Sequence, residues 1–416
     1  LKETKAFNIS KHLVMQAYKL VKSNAGAAGV DRQSLEDFEI NLHDNLYKLW
    51  NRMSSGTYFP LPVKAVPIPK KSGGTRILGI PTVTDRIAQM VVKLTFEPLV
   101  EPHFLPDSYG YRPGKSALDA VGITRQRCWK SDWVLEFDIK GLFDNIPRDL
   151  LMKAVRKHTQ CKWTLLYIER WLEAMIQLPD GSNISRSTGT PQGSVISPVL
   201  SNLFLHYVFD KWMQQNYSSL QWCRYADDGL IHCKTESQAK MMLSVLSKRF
   251  RECGLELNPD KTKIVYCKDE MRKGNYSNTS FDFLGYTFKP RSCMNKNKNK
   301  MFLGFTPGVS KSAINSMRAK TKNCNWRNCS SISLNDLAEQ YNPMLRGWIN
   351  YYGRFNRSAM YPVLRHFNNN LAAWAMKKYK HLYGRKKKTT QFFERIIKVQ
   401  PNLFAHWKIG MIGAFA

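Results

Sequence analysis

Two adjacent aspartates stand between apolar runs in Arg224-Tyr225-Ala226-Asp227-Asp228-Gly229-Leu230-Ile231. The flanking residues predict a β-hairpin, with Asp228-Gly229 as the pair expected to make its turn. Such a turn projects carboxylates from a rigid scaffold into solvent or a cleft. A further carboxylate, Asp138, lies near the end of the apolar stretch 133–139 and predicts a second strand ending in an acid. Oxygen ligands converging from separate segments suit Mg²⁺, a hard cation that prefers octahedral coordination. Two such ions, about 3.5–4 Å apart, would activate a 3′-hydroxyl and stabilise a pyrophosphate leaving group. Taken alone, an Asp-Asp-Gly turn is usually just a turn, so its surroundings decide.

The elements that must position these acids follow from pattern. Residues 1–58 read as helices interrupted by the small-residue stretch 23–29, which predicts a loop. Strand-like runs at 63–68 and 75–80 flank a basic turn, and a helix is expected over 84–99 with Thr84 or Asp85 near its cap. After the strand at 133–139 the periodicity predicts one helix over 148–175. A Gly/Pro-punctuated loop at 190–197 leads into a helix through Trp212. The hairpin at 222–233 is followed by a helix at 236–253 and strands at 263–266 and 281–288. Alternating Asn and Lys at 295–300 predict an exposed loop and a domain boundary, and helices are expected at 310–321, 334–351 and 361–379.

Charge narrows the partner. The 416 residues contain 63 Lys and Arg against 32 Asp and Glu, a net charge of +31. Residues 289–416 hold 24 of the bases and three acids, Asp336, Glu339 and Glu394. A surplus so concentrated repels itself unless a polyanion meets it, which points to nucleic acid. No apolar run of membrane-spanning length occurs, and no basic amphipathic helix dominates, so a membrane partner is not expected. The nine cysteines form no Cys-x-x-Cys pair, which argues against a zinc module or a disulfide framework and for a reducing compartment.

In combination these segments resemble the reverse transcriptases. Phe137-Asp138-Ile139 and Tyr225-Ala226-Asp227-Asp228 are similar to motifs A and C of that family. Ile68-Pro69-Lys70, Gly74-Thr75-Arg76 and Gly79-Ile80-Pro81 resemble its fingers, followed by Ser108-Tyr109-Gly110-Tyr111-Arg112-Pro113. Thr190-Pro191-Gln192-Gly193-Ser194 with Ser197-Pro198 resembles motif B, and Leu257-Asn258-Pro259-Asp260-Lys261-Thr262-Lys263 motif D. Phe283-Leu284-Gly285-Tyr286 looks like the primer grip. Arg346-Gly347-Trp348-Ile349-Asn350-Tyr351-Tyr352 is similar to the maturase signature of group II intron-encoded proteins, and Gly26-Ala27-Ala28-Gly29-Val30-Asp31 to their N-terminal extension. The resemblance covers about residues 20–380.

The resemblance implies a role for each matched position. Asp138 and Asp227 would hold two Mg²⁺ ions (Mn²⁺ as a substitute) with the carbonyl oxygen of Ile139, and Asp228 would support them as a third catalytic carboxylate. Lys70 and Arg76 would clamp an incoming triphosphate. Phe143, five residues after Asp138, would exclude a ribose 2′-hydroxyl and so select dNTPs. Gln192 and Gly193 would line the nucleotide, the glycine allowing close backbone approach. Lys261 would act on the pyrophosphate or touch a phosphate, with Lys263 equally placed to compete. Arg112, Arg346, Arg354, Arg357, Arg365, Lys377, Lys378 and the run Arg385, Lys386, Lys387, Lys388 would contact nucleic acid. The stripe Leu337, Tyr341, Leu345, Trp348, Ile349 and Tyr352 has helical spacing and is expected to be core.

The fold expected is α+β, a right-hand polymerase. An N-terminal extension (1–58) precedes fingers and palm with an antiparallel sheet (59–288), then a helical thumb/maturase region (289–388) and a short tail (389–416) that is either a DNA-binding remnant or the end of that region. No HNH endonuclease block is recognisable, so no endonuclease activity is expected. The activity expected is RNA-directed DNA synthesis on an RNA template with a DNA primer. Binding of a group II intron RNA to assist its splicing, and retrohoming into target DNA, would accompany it. Two alternatives stay open: a host-adopted reverse transcriptase without an intron, and a splicing-only maturase.

Overall fold

The computed structural model describes residues 5–69, 73–295, 299–326, 331–413 and 415. The chain divides into two compact units, Leu1–Ala120 with Leu135–Lys263, and Val121–Val134 with Ile264–Ala416. The division therefore falls earlier than the boundary expected near 288.

In the first unit, helices Lys11–Asn24, Leu35–Ile40 and Leu42–Ser54 precede strands β1 (Val63–Pro69) and β2 (Thr75–Ile80). These strands pair antiparallel from Lys64↔Ile80 to Pro69↔Thr75. Two short strands, β4 (Ile176–Gln177) and β5 (Asn183–Ile184), extend the sheet in the order β2-β1-β4-β5, where β3 is Trp133–Asp138. Because β4 meets β1 only at Val63 and Lys64, Pro67 and Pro69 break no ladder on that side. Helix Val83–Val100 is capped by Thr82, whose side chain accepts from the Asp85 amide, two residues before the expected cap. Its Asp85 is buried and accepts from Tyr58 Oη at 2.7 Å and Trp171 Nε1 at 2.8 Å.

The helix expected over 148–175 is two helices, Arg148–His158 and Lys162–Glu173. The break at Thr159 contains neither Gly nor Pro; Thr159 is extended, and its hydroxyl accepts from the Cys161 amide. A central sheet is built from β6 (Gln221–Tyr225), β7 (Asp228–Cys233) and β3, with β8 (Lys263–Tyr266) beyond β3. Val134, Leu135 and Phe137 are all buried, so β3 up to Phe137 is apolar on both faces except at the half-buried Glu136.

The second unit contains a three-stranded sheet, β11-β10-β9, of Lys300–Val309, Tyr286–Asn295 and Phe281–Phe283. The strand expected over 281–288 turns back at Leu284-Gly285, both in the left-handed region. Strands β10 and β11 pair along ten residues from Tyr286↔Val309 to Asn295↔Lys300, so the Asn/Lys stretch joins two strands rather than two domains. Helices Lys311–Asn323, Leu334–Tyr352, Tyr361–Lys378 and Lys386–Val399 surround a core that includes Trp326, Leu337, Tyr341, Leu345, Phe367 and Trp374.

The last helix runs through the boundary expected at 388, and the stretch after it is no detached tail. Phe393, Ile397, Phe404, Trp407, Met411 and Phe415 all enter the same core. Asn342 donates to Leu403 O and accepts from the Ala405 amide, while Asn368 donates to Met411 O and Gly413 O. Of the described residues, no helix is long and apolar enough to cross a membrane, and the eight described cysteines are free thiols.

Burial pushes the Asp85 carboxyl up to about 6. A raised folded pKa means that its ionisation weighs against folding above pH 6 and ceases to matter below the ordinary carboxylate range. Asp85→Asn keeps the oxygen that accepts from Tyr58 and Trp171. It should stabilise the protein by about 1–2 kcal/mol at pH 7.5 and by much less at pH 4, read from urea unfolding at both pH values.

Candidate active site

The carboxylate hairpin turns two residues earlier than its sequence suggests. Tyr225 pairs with Asp228 and Arg224 with Gly229, leaving Ala226-Asp227 as the turn and Asp228-Gly229 inside β7. Ala226 adopts the left-handed conformation, φ 55°. Gly229 is a glycine because the Phe137 ring of β3 occupies the space a Cβ would need. Asp227 therefore sits at the tip and Asp228 one step down the strand.

What holds this tip is a buried guanidinium. Arg224 is fully buried and its donors reach four partners. Nε and Nη2 grip Asp210 at 2.8 and 2.6 Å, Nη2 also reaches Ser108 Oγ at 2.8 Å, and Nη1 reaches Asn202 Oδ1 at 3.1 Å and Ala226 O at 3.3 Å. The last bond fixes the turn from inside. Asp210 is delivered by a single wide π turn, His206–Asp210, within the expected helix 197–212, which resolves into Ser197–Leu205, this turn and Lys211–Asn216. Sequence reading overlooked Arg224, Asp210, Asn202 and Ser108. The available signal was a charged residue inside an otherwise apolar strand, since a buried cation requires a partner.

The three acids come together from two strands. The Ile139 amide, at the end of β3, donates to Asp227 O at 3.2 Å. Asp138 accepts from Lys261 Nζ at 2.9 Å and Asn258 Nδ2 at 3.1 Å. Burial, followed by the charges of Asp227 and Asp138, pushes Asp228 up to about 7. Asp227 is raised by burial and by Asp138, with Lys261 and Arg76 opposing. Burial disfavours the Lys261 ammonium, but the hydrogen bond and charge of Asp138 outweigh it and raise its pKa. Lys263 instead pairs with Glu136 at 3.3 Å, so the two lysines do not compete.

Three carboxylates share one lysine, and two of them have acquired a raised affinity for protons, which is the signature of a hard-oxygen set short of positive charge. Among the described residues no group of three or more His, Cys, Asp or Glu is placed to hold a metal ion by those side chains alone. An open set still fits Mg²⁺, which is commonly held by one or two carboxylates with substrate phosphates completing its shell.

The residues expected around the nucleotide separate into distinct cases. Arg76 is exposed on β2, and its charge is felt by Asp227. Lys70 lies outside the described residues. Phe143 is half-buried and meets Tyr111 edge-on at 6.5 Å. Gln192 donates to Asp144 Oδ2 at 3.2 Å, and its carbonyl accepts from the Gly79 amide at 2.7 Å. Gly193, at φ 109°, does make a close backbone approach, but to Gly79 O of β2, where a Cβ would collide.

Two of the basic residues also serve the fold. Arg112 pairs with Glu101 at 2.7 Å, donates to Leu105 O and Ser108 O, and lies over Phe104. Lys378 donates to Ile332 O at 2.6 Å and lies over Trp374, so its charge also serves the fold. Arg346, Arg354, Arg357, Arg365, Lys377, Arg385, Lys386, Lys387 and Lys388 are exposed.

Comparison with known proteins decides the family. The model for reverse transcriptase (RNA-dependent DNA polymerase) matches residues 68–288, more than half of the chain. The chain belongs to the reverse transcriptase family. A second model, the group II intron maturase-specific domain, matches residues 314–393, so this reverse transcriptase is of the group II intron type with a maturase domain. It is 33% identical to Protein YkfC of Escherichia coli over 61% of this chain and 77% of that one. It is 34% identical to the group II intron-encoded protein LtrA of Lactococcus lactis over 48% of this chain, a match spanning only 33% of LtrA. Among solved structures, a telomerase from Candida albicans has a TM-score of 0.44 at 13% identity over 89% of this chain and 66% of that one, a likeness too low to argue from.

Arg224→Met should strand Asp210 as an uncompensated buried charge and cost about 3–5 kcal/mol. Adding Asp210→Asn should recover part of that loss, as read from denaturant unfolding of the two variants beside the native protein.

Proposed function

We propose that this reverse transcriptase extends a DNA primer along an RNA template with dNTPs, and that it binds a group II intron RNA to assist its splicing and its retrohoming by target-primed reverse transcription. The observation that carries the polymerase reading is the convergence of Asp138, at the end of β3, with Asp227 and Asp228 on the β6–β7 turn, with Lys261 at hydrogen-bond distance from Asp138. Asp138, Asp227 and the Ile139 carbonyl would hold two Mg²⁺ ions, which when bound would activate the primer 3′-hydroxyl and stabilise the departing pyrophosphate.

The chain's own groups do the remaining work. Asp228 sits among like charges and acts as the supporting carboxylate. Lys261 neutralises Asp138 in the resting site and is placed to turn to a phosphate oxygen. Arg76 offers an exposed cation on the fingers sheet, where it would meet a triphosphate. Phe143, on the short helix Leu142–Asn145 just after β3, would stand against the sugar. Gln192 is oriented by Asp144. The intron half of the reading rests on the maturase-specific match at 314–393 together with the exposed bases of that region. Arg385 to Lys388 lie at the start of Lys386–Val399, where the helix dipole disfavours cations, so this cluster is better matched by a polyanion than by the helix it opens.

Asp227→Ala should lower primer extension on an RNA template by at least about 10³-fold while intron RNA binding and splicing persist. Loss of both together would contradict separate polymerase and maturase functions. Phe143→Ala should raise the relative use of rNTPs over dNTPs by about 10- to 100-fold, measured as the ratio of kcat/KM values.

A further inference from the structure

Residues on either side of the nucleotide-facing strip are laced together. The Gly189 amide donates to Ile146 O at 2.8 Å and the Thr190 amide to Phe143 O at 2.7 Å. Thr188 Oγ1 donates to Asp144 O at 2.9 Å, and Gln192 reaches the Asp144 carboxylate at 3.2 Å. This lacing brings the start of helix Arg148–His158 beside the connection that follows β5, and with them two arginines, Arg148 and Arg186. Each is half-buried. Arg186 is pushed down to about 10, first by burial and then by the charge of Arg148, with Asp144 opposing. Arg148 is lowered by burial, with Glu173 opposing.

Their hydrogen bonding is unlike that of any other described arginine. In both, Nε and Nη2 are shut away from water and have no acceptor among the described residues, whereas every other buried arginine atom of this kind is a single Nε. Elsewhere the same chain satisfies such groups fully: Arg112 uses all three of its nitrogens, and so does Arg224. Two like-charged guanidiniums near enough for one to act on the other, each with unanswered donors, form a site short of one anion. A guanidinium's planar fork matches the paired oxygens of a phosphate.

We infer that Arg148 and Arg186 form a two-pronged clamp for one backbone phosphate of the nucleic acid lying beside the nucleotide site. The clamp rests on the polymerase reading and deepens it, since Phe143 and Gln192 belong to the same laced strip. The phosphate could come from the template or from the primer, and the test below separates these sources.

The full-length protein is titrated with an RNA template–DNA primer by fluorescence anisotropy across a KCl series. Arg148→Gln and Arg186→Gln should each weaken binding about 5- to 20-fold at moderate salt and reduce the slope of log Kd against log[KCl] by about one. The double variant should be little worse than either single one, because both side chains grip one group. A neutral methylphosphonate is then placed at one position at a time, first along the template and then along the primer. For the native protein one position should reproduce the loss, and for the double variant that position should cost nothing further; its strand identifies the source. This scan on the native protein requires no variant to fold. A flat scan on both strands, or variants with unchanged affinity and salt slope, would overturn the clamp. Failure of the polymerase reading would look different, as absence of primer extension by the native protein itself.

Discussion

A positive charge with no access to water governs the catalytic unit. Arg224 lies in the middle of β6 with Asp210 on one side and the Ala226 carbonyl on the other, so the charge pair and the turn conformation are one problem with one solution. Burial raises Asp210, and the charge and hydrogen bonds of the guanidinium, which reach both carboxylate oxygens, oppose that rise. A buried ion pair of this kind adds little net stability over apolar packing, but its geometry is demanding. Here that demand is met by Ser108, Asn202 and the π turn that sets Asp210 facing inward. The acids at the hairpin tip can crowd together because the residues beneath them are held by directional bonds rather than by apolar contact alone.

Residue types and spacing pointed to the acids and to the strands that present them, because metal-assisted nucleotidyl transfer needs particular groups and their order along the chain is visible, whereas Lys261 was expected only through the resemblance of its segment to motif D. What escaped was set by tertiary contact. Asp228-Gly229 has the composition of a turn, yet the glycine answers to the Phe137 ring, and the turn moves to Ala226-Asp227. Arg112 looks free in Tyr111-Arg112-Pro113, and nothing nearby in sequence announces Glu101 as its partner. Helix Lys386–Val399 was hidden because its first turn is a basic cluster, which reads as a nucleic-acid contact before it reads as a helix start.

The two units treat their cations differently. In the catalytic unit the cations at the hairpin, Arg224 and Lys261, are bound to acids, and the acids in turn dictate where strands end. In the helical unit acids are few, so Arg346, Arg354 and Arg357 remain on the surface, while the fold relies on aromatic packing such as Trp326 against Tyr341 at 5.4 Å. Charge in that unit is thus left over for an external polyanion, since the core does not need it.

The weaving of residues 393–415 into that aromatic core has a consequence for how the protein is made. Phe393 stacks on Phe415 with centroids 4.6 Å apart, and Phe404 and Trp407 pack beneath them. During synthesis, a nascent chain halted before these residues leaves Phe367 without the Phe404 ring that meets it at 5.9 Å. The helical unit therefore closes around its aromatic core only once residues 393–415 have left the ribosome.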